Sequence, residues 1–283
     1  MQLNSFSRQG LCLALALALA ACGHSTQITS GKDYLSKYPQ ASAQAQVSPQ
    51  IPTADNAGGR VAFDAQVRAA ADVESTLRFP ARIGIARLRD GQLASVAANE
   101  AGAWMNLAKR LGPDWGELVP ISPLIAALAS QPETEAINCW SNRQGCLEKT
   151  LRAIRLGAAR QHVDAVLVYE AFARGEVTSN PIAVTKLALI GFFLPSEDVS
   201  AEGHAQAVLV DVRNGYTYGM ASAQSDKAAF ALASSVNQDE VANRMNLRAE
   251  TAAVQALAPE VESMLRDLRL KLAEMRVAEA STN

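Results

Sequence analysis

Apolar and polar positions recur along this chain with two periods, and the switches between them mark its elements. Arg82-Ile83-Gly84-Ile85-Ala86-Arg87-Leu88 follows Pro80 and alternates with period two, which predicts a strand closed by an Asp90-Gly91 turn. From Leu93 to Leu111 the period becomes helical. Val96, Ala101, Trp104, Leu107, Ala108 and Leu111 share a stripe that Gly112-Pro113 stops. Leu118 to Ile121 reads as a short extended element, and Pro123 to Ser130 as one or two helical turns. Leu147 to Gln161 is helical, with Leu147, Leu151, Ile154 and Ala158 in register, and His162 at its end suits the helix dipole. Val163 to Tyr169 follows at once as an apolar strand. Helix, acidic residue and buried strand in that order form the join of an α/β unit.

The second half continues the pattern. Ile182 to Leu194 is the most apolar stretch after residue 60, with Lys186 its only charge. It predicts a buried strand ending at Pro195, or an edge that contacts a partner or a membrane. Ala205 to Val212 is a further strand, and Asn214-Gly215 returns the chain into Tyr216 to Ala221, with Tyr216 and Tyr218 on one face. Gln238 to Leu257 is helical. Pro259 predicts a new helix start, after which Val261, Met264, Leu265, Leu268, Leu272 and Met275 line one face. The fold class is α/β (α+β): a small mixed sheet with flanking helices, a long C-terminal helix and a disordered N-terminal tether.

The N-terminus has a different pattern. Arg8 precedes an unbroken apolar run from Leu11, too short to span a bilayer, which takes about 20 residues. The run ends in Leu19-Ala20-Ala21-Cys22-Gly23, which resembles the lipobox of a bacterial lipoprotein signal. The resemblance implies that residues 1–21 are removed and that Cys22 becomes the acylated first residue. Several acyl chains on one residue anchor far more firmly than the single chain that binds only marginally. With Gly23 and not Asp after the cysteine, the resemblance implies the outer membrane, facing the periplasm. Residues 22–59 read as a lipidated tether rich in Ser, Gln, Ala, Thr and Pro, and residues 60–283 as a single periplasmic domain. As a coil the tether spans roughly 30–36 Å. Within it Lys32 to Pro39, with Tyr34, Leu35 and Tyr38, either docks on the domain or a partner or stays an exposed linker.

Composition narrows the chemistry. Hydrophobic residues make up 49% of the chain, enough for a core, and the net charge of −2 offers no surplus to attract nucleic acid. Cys12 falls in the signal and Cys22 takes lipid, which leaves Cys139 and Cys146. In an oxidising periplasm these two predict a disulfide, contributing roughly 2–3 kcal/mol through loop closure. A metal site is the rival reading, without the second closely spaced ligand pair that zinc uses. The three histidines, His24, His162 and His204, are scattered. The sequence carries no Gly-x-Ser-x-Gly, His-Glu-x-x-His, P-loop or Gly-x-Gly-x-x-Gly pattern. Asp239-Glu240 falls at a helix start, where acids are favoured. No catalytic residue, metal or cofactor is therefore assigned.

The strand Ile83 to Leu88, the join from Leu147 to Leu167 and the hairpin from Val208 to Gly219 resemble the α/β domain of two groups of envelope lipoproteins. These are the curli-secretion lipoprotein and the activator lipoproteins of penicillin-binding proteins, which carry a glycine before the aspartate of the join where this chain has His162-Val163. The Ser30 to Pro39 segment, the run Ala188 to Pro195, the Asp211 hairpin and the long C-terminal helix resemble the rhombotarget lipoproteins. That resemblance implies an envelope-sorting or surface context and carries over no enzymatic activity. The expectation is a non-enzymatic lipoprotein of the outer membrane, an adaptor or accessory of an envelope, secretion or surface-sorting system. Its partners would be the membrane, through the anchor, and envelope or secretion proteins, with a homo-oligomer possible. Two alternatives stand beside it: a subunit of a membrane-associated assembly using residues 182–194, and an enzyme acting on the cell wall.

Overall fold

The strand predicted at Arg82 to Leu88 lies in the interior of a mixed sheet. The computed structural model describes residues 23–37, 65–130, 143–179, 197–225, 228–232 and 238–282. Its strands are β1 (His24–Thr26), β2 (Ala81–Arg89), β3 (Gln92–Ala94), β4 (Gly116–Pro120), β5 (Ala165–Ser179), β6 (Glu197–Asp211), β7 (Thr217–Gln224) and β8 (Ala228–Leu232). The helices are α1 (Gly31–Ser36), α2 (residues 65–71), α3 (Ala98–Leu111), α4 (Pro123–Ala129), α5 (Arg143–Arg160) and α6 (Gln238–Thr282). The sheet order is β1-β7-β6-β5-β2-β3, with β4 also on β2 and β8 also on β6. β2 runs parallel to β5 and β4, and all other pairings are antiparallel. The expected α/β class, with a long C-terminal helix, is what the chain forms.

Two apolar layers pack on the sheet, one along its length and the other over β2 and the start of β5. On one face α6 and α3 pack Trp104, Leu107, Val254, Leu257 and Leu268 against Ile85, Leu167, Tyr169 and Leu209. On the other, α5 and the segment around Ile121 pack Ile154 and Ala158 against Ala86, Val166 and Val168. Coverage on both faces explains why β2 is buried from Ile83 to Leu88, with Arg87 its one charged residue in that span.

The join after α5 holds a side chain in a conformation that glycine adopts more readily. His162 has φ +56°, the left-handed conformation that ends many helices. Its N–H donates to Ala159 O and the Val163 N–H donates to Ala158 O, both at 3.0 Å, so the last carbonyls of α5 are satisfied.

Four expectations change. Residues 92–94 are a strand, not the start of a helix. Asp90 (φ +52°) and Gly91 (φ +75°) form the two-residue turn whose twist matches a hairpin, so the chain folds back on β2 before α3 begins. β5 and β6 are longer than predicted and pair along their whole length, from Ala165↔Asp211 to Ser179↔Glu197. The predicted strand at Ile182 to Leu194 lies outside the described residues.

Pro259 does not start a helix; it sits inside α6. It removes one hydrogen bond, to the carbonyl four residues earlier, at a cost of about 3 kcal/mol. Buried residues on both sides of it, Val254, Leu257, Val261 and Leu265, hold the helix continuous against the sheet. Finally, residues 23–37 are not slack chain: they form β1 and α1. Of the tether, residues 38–59 lie outside the described residues.

Replacing Pro259 with alanine restores the missing bond. Thermal denaturation of Pro259→Ala is expected to show stabilisation of about 1–3 kcal/mol. A lower melting temperature would contradict one continuous helix.

Candidate functional site

The described chain begins with its N-terminal residues already fixed. Gly23 O accepts a hydrogen bond from Ser222 N at 2.5 Å, and β1 then pairs with β7 as His24↔Ala221, Ser25↔Met220 and Thr26↔Gly219. The fit depends on two glycines. A side chain at Gly23 would meet Ser222 O at 2.6 Å and Glu260 Oε2 at 2.8 Å, and one at Gly219 would run into Ser25 O.

Charge secures the strand against α6. His24 Nδ1 lies 3.3 Å from Glu260 Oε2 and Nε2 lies 3.0 Å from Asp267 Oδ2. The hydrogen bond to Asp267 raises the imidazole pKa, burial opposes it, and Glu260 adds to the rise. Lys271 Nζ donates to Thr26 O at 3.3 Å and also to Thr26 Oγ1. The carboxylates grip opposite ring nitrogens, so they do not converge on one metal position with the imidazole. Among the described residues no group of three His, Cys, Asp or Glu side chains is arranged to hold a metal.

The hairpin of β6 and β7 holds the residues after β1. Gln27 N donates to Tyr218 O at 2.9 Å, and Tyr216 OH to Thr29 O at 3.0 Å. Burial pushes the Tyr216 hydroxyl pKa up to about 12. Ser30 caps α1 by accepting from Asp33 N and donates to Glu74 at 2.9 Å. Below it, fully buried Asp211 accepts from Thr76 Oγ1 and Tyr218 OH, both at 2.7 Å, and from Arg213 N at 2.8 Å. Tyr218 OH in turn accepts from Leu77 N at 2.7 Å. The pair of tyrosines read from the Asn214-Gly215 hairpin therefore faces inward and binds the residues before β2 and after β1.

Among the described residues a second polar cluster is buried. Arg87 donates through Nε and Nη2 to both oxygens of Glu100 at 2.8 Å, and Tyr169 OH donates to Glu100 Oε2 at 2.7 Å. Glu250 lies 3.7 Å from Arg87, and burial raises its carboxyl pKa above the usual range against the pull of Arg89 and Arg87. Two carboxylates thus converge on one guanidinium. Both oxygens of Glu100 are engaged, and the group lies under α3 and α6, where it ties β2 and β5 to the helices. Removing one member of such a pair typically costs about 3–5 kcal/mol.

The outward face of β5, β6, β7 and β1 is different. Cross-strand pairing sets it out in rows. Val168, Val208, Met220 and Ser25 form one, and Glu170, Gln206, Ser222 and Gly23 the next. Phe172, His204 and Gln224 form a third. Met220 is 56% exposed and Phe172 38%. The Phe172 and His204 rings stack at 5.3 Å, and the Arg174 guanidinium lies 5.9 Å from the Phe172 centroid. Toward α5 the face deepens into a groove of about 510 Å³ lined by Leu147, Leu151, Val166, Val168, Val208 and Val210.

Of the residues singled out by sequence, Cys22 and Cys139 lie outside the described residues. Cys146 is 5% exposed near the start of α5, beside Leu93 and Leu147. The residues that position the N-terminus, His24, Ser222, Glu260 and Asp267, were not predicted together. Only topology brings them within bonding distance.

No protein-family model and no curated protein matches the chain. Among solved structures, a PelC dodecamer from Paraburkholderia phytofirmans is similar at 10% identity, over 62% of this chain and 88% of that one, with a TM-score of 0.24. Lipoprotein GNA1162 from Neisseria meningitidis is similar at 17% identity over 59% and 91%, TM-score 0.22. Hypothetical protein CT253 from Chlamydia trachomatis is similar at 13% over 68% and 95%, TM-score 0.23. Likenesses this low assign no family.

The imidazole clamp makes a pH-dependent contribution. Because the folded pKa of His24 is raised, its stabilisation is complete below the unfolded value of about 6.5 and is lost as pH rises through the folded value. The melting-temperature gap between the native chain and His24→Gln is expected to be widest near about pH 5.5 and to close by about pH 9. A gap that is flat or widens with pH would contradict the clamp.

Proposed function

We propose that the chain is a lipid-anchored envelope protein without enzymatic activity, held at the periplasmic face of the outer membrane as an adaptor or accessory for other envelope proteins. The reading joins the lipobox resemblance at Leu19 to Cys22 with one observation that carries it. Cys22 is followed directly by a residue locked into the sheet, so an acylated Cys22 fixes the folded domain at the membrane without intervening slack. Anchoring raises the local concentration of a binding domain and so substitutes for intrinsic affinity. The rhombotarget resemblance agrees with an envelope-sorting setting, and the Cys139–Cys146 disulfide belongs to the same proposal.

A homo-oligomer is the second reading. Leu124 and Leu128 of α4 support it, as they are largely exposed on a helix seven residues long.

Intact-mass analysis of the mature protein, followed by crosslinking in envelopes, tests both readings. The expected result is a chain starting at Cys22 with its acyl chains, crosslinked to a different envelope protein. A ladder of this chain alone would favour the second reading. An unmodified N-terminus, or a retained leader, would contradict the anchor and with it the proposed location.

A further inference from the structure

We infer that the open face of the sheet formed by β1, β7, β6 and β5 lies against the lipid bilayer. This inference rests on the proposed acylation of Cys22. Consecutive Cα atoms are about 3.8 Å apart. Gly23 is hydrogen-bonded to Ser222. The glyceryl and acyl groups on Cys22 therefore leave the protein within one residue of the sheet edge, and the bilayer surface passes beside β1.

Two surfaces flank that point, and their chemistry differs. On the α6 side Glu260 and Asp267 stand next to Gly23 and His24, with half of the Asp267 side chain exposed. Anionic lipid repels these carboxylates, and burying them in the headgroup layer costs desolvation. On the open side the nearest residues are Ser25, Met220, Ser222, Gln206 and Gln224, all uncharged. The Met220 row continues through Val208 to Val168, and the apolar floor runs on to Leu147 and Leu151.

The rim of this face suits the headgroup region. Phe172 offers an exposed ring and Arg174 a guanidinium above it, the pairing of aromatic and snorkelling cation found at membrane interfaces. Among the side chains described, Glu170 and Glu202 are acids of this face, Glu202 beside the His204 imidazole at 3.7 Å. With carboxylates interspersed among the guanidiniums of Arg174 and, in the groove, Arg155, attachment comes from the acyl chains and the apolar row rather than from a basic patch.

Photo-crosslinking of the full-length, processed protein tests the orientation. Met220→p-benzoylphenylalanine and Gln206→p-benzoylphenylalanine probe the open face. Leu270→p-benzoylphenylalanine and Leu247→p-benzoylphenylalanine probe the outer side of α6. All four residues are exposed, so the label is accommodated without disturbing the core. Each variant is reconstituted in vesicles of phosphatidylethanolamine and phosphatidylglycerol, irradiated and weighed intact, with the mass at Cys22 read from the same spectrum. Phospholipid adducts are expected at 220 and 206 in at least about fivefold excess over 270 and 247. Equal yields on an acylated chain would overturn the orientation and leave the anchor standing. Adducts at 220 to a second copy, to another segment of the chain or to a protein partner would overturn it likewise. An unmodified Cys22 would overturn the anchor and this inference together.

Discussion

A single backbone hydrogen bond, Ser222 N to Gly23 O, decides how this protein is arranged around its N-terminus. A three-residue strand has almost no stability of its own. It persists here because three kinds of interaction meet on it: the β7 ladder, the His24 ring held between two carboxylates, and the Lys271 ammonium at Thr26. Small residues at 23 and 219 let the backbones approach closely enough for the ladder to form.

The long helix makes this possible. Glu260, Asp267 and Lys271 all belong to α6, whose adjoining face buries Val254, Leu257, Val261, Met264 and Leu268 against the sheet. The helix therefore does two jobs along one length: it closes the main core and offers a charged rail for β1. Breaking it at Pro259 would separate Val254 and Leu257 from the residues that grip His24. The apolar contacts on both sides of the proline outweigh its missing hydrogen bond, and the rail stays whole.

How legible each part was in the sequence depends on where its stabilisation lies. β2, the join at Val163, the Asn214-Gly215 hairpin and the C-terminal stripe are fixed by apolar periodicity and turn chemistry, and they formed as read. Asp90-Gly91 reads as a turn, but the strand after it is three residues long and its period merges with that of the helix. β1 is polar, His-Ser-Thr, so no hydrophobic pattern reveals it; its partners lie about 200 residues away. One local signal was present: Ser30 and Asp33 have the spacing of a helix cap, and α1 begins there. Glu100 is an acid on a predicted helix whose burial depends on Arg87 and Tyr169, from two different strands. Such pairings are properties of the sheet order and not of any window of sequence.

The central claim is that the chain is attached to its own domain immediately after residue 22. Hydrogen exchange at the Ser222 amide addresses it most directly, because that N–H points away from β6 and finds its acceptor in the residue that leads into β1. In the processed protein this amide should exchange at least about 100-fold more slowly than an unstructured peptide. Exchange at the unprotected rate, with Leu209 and Val208 in the same sheet still protected, would mean that the N-terminal residues hang free and that the sheet ends at β7.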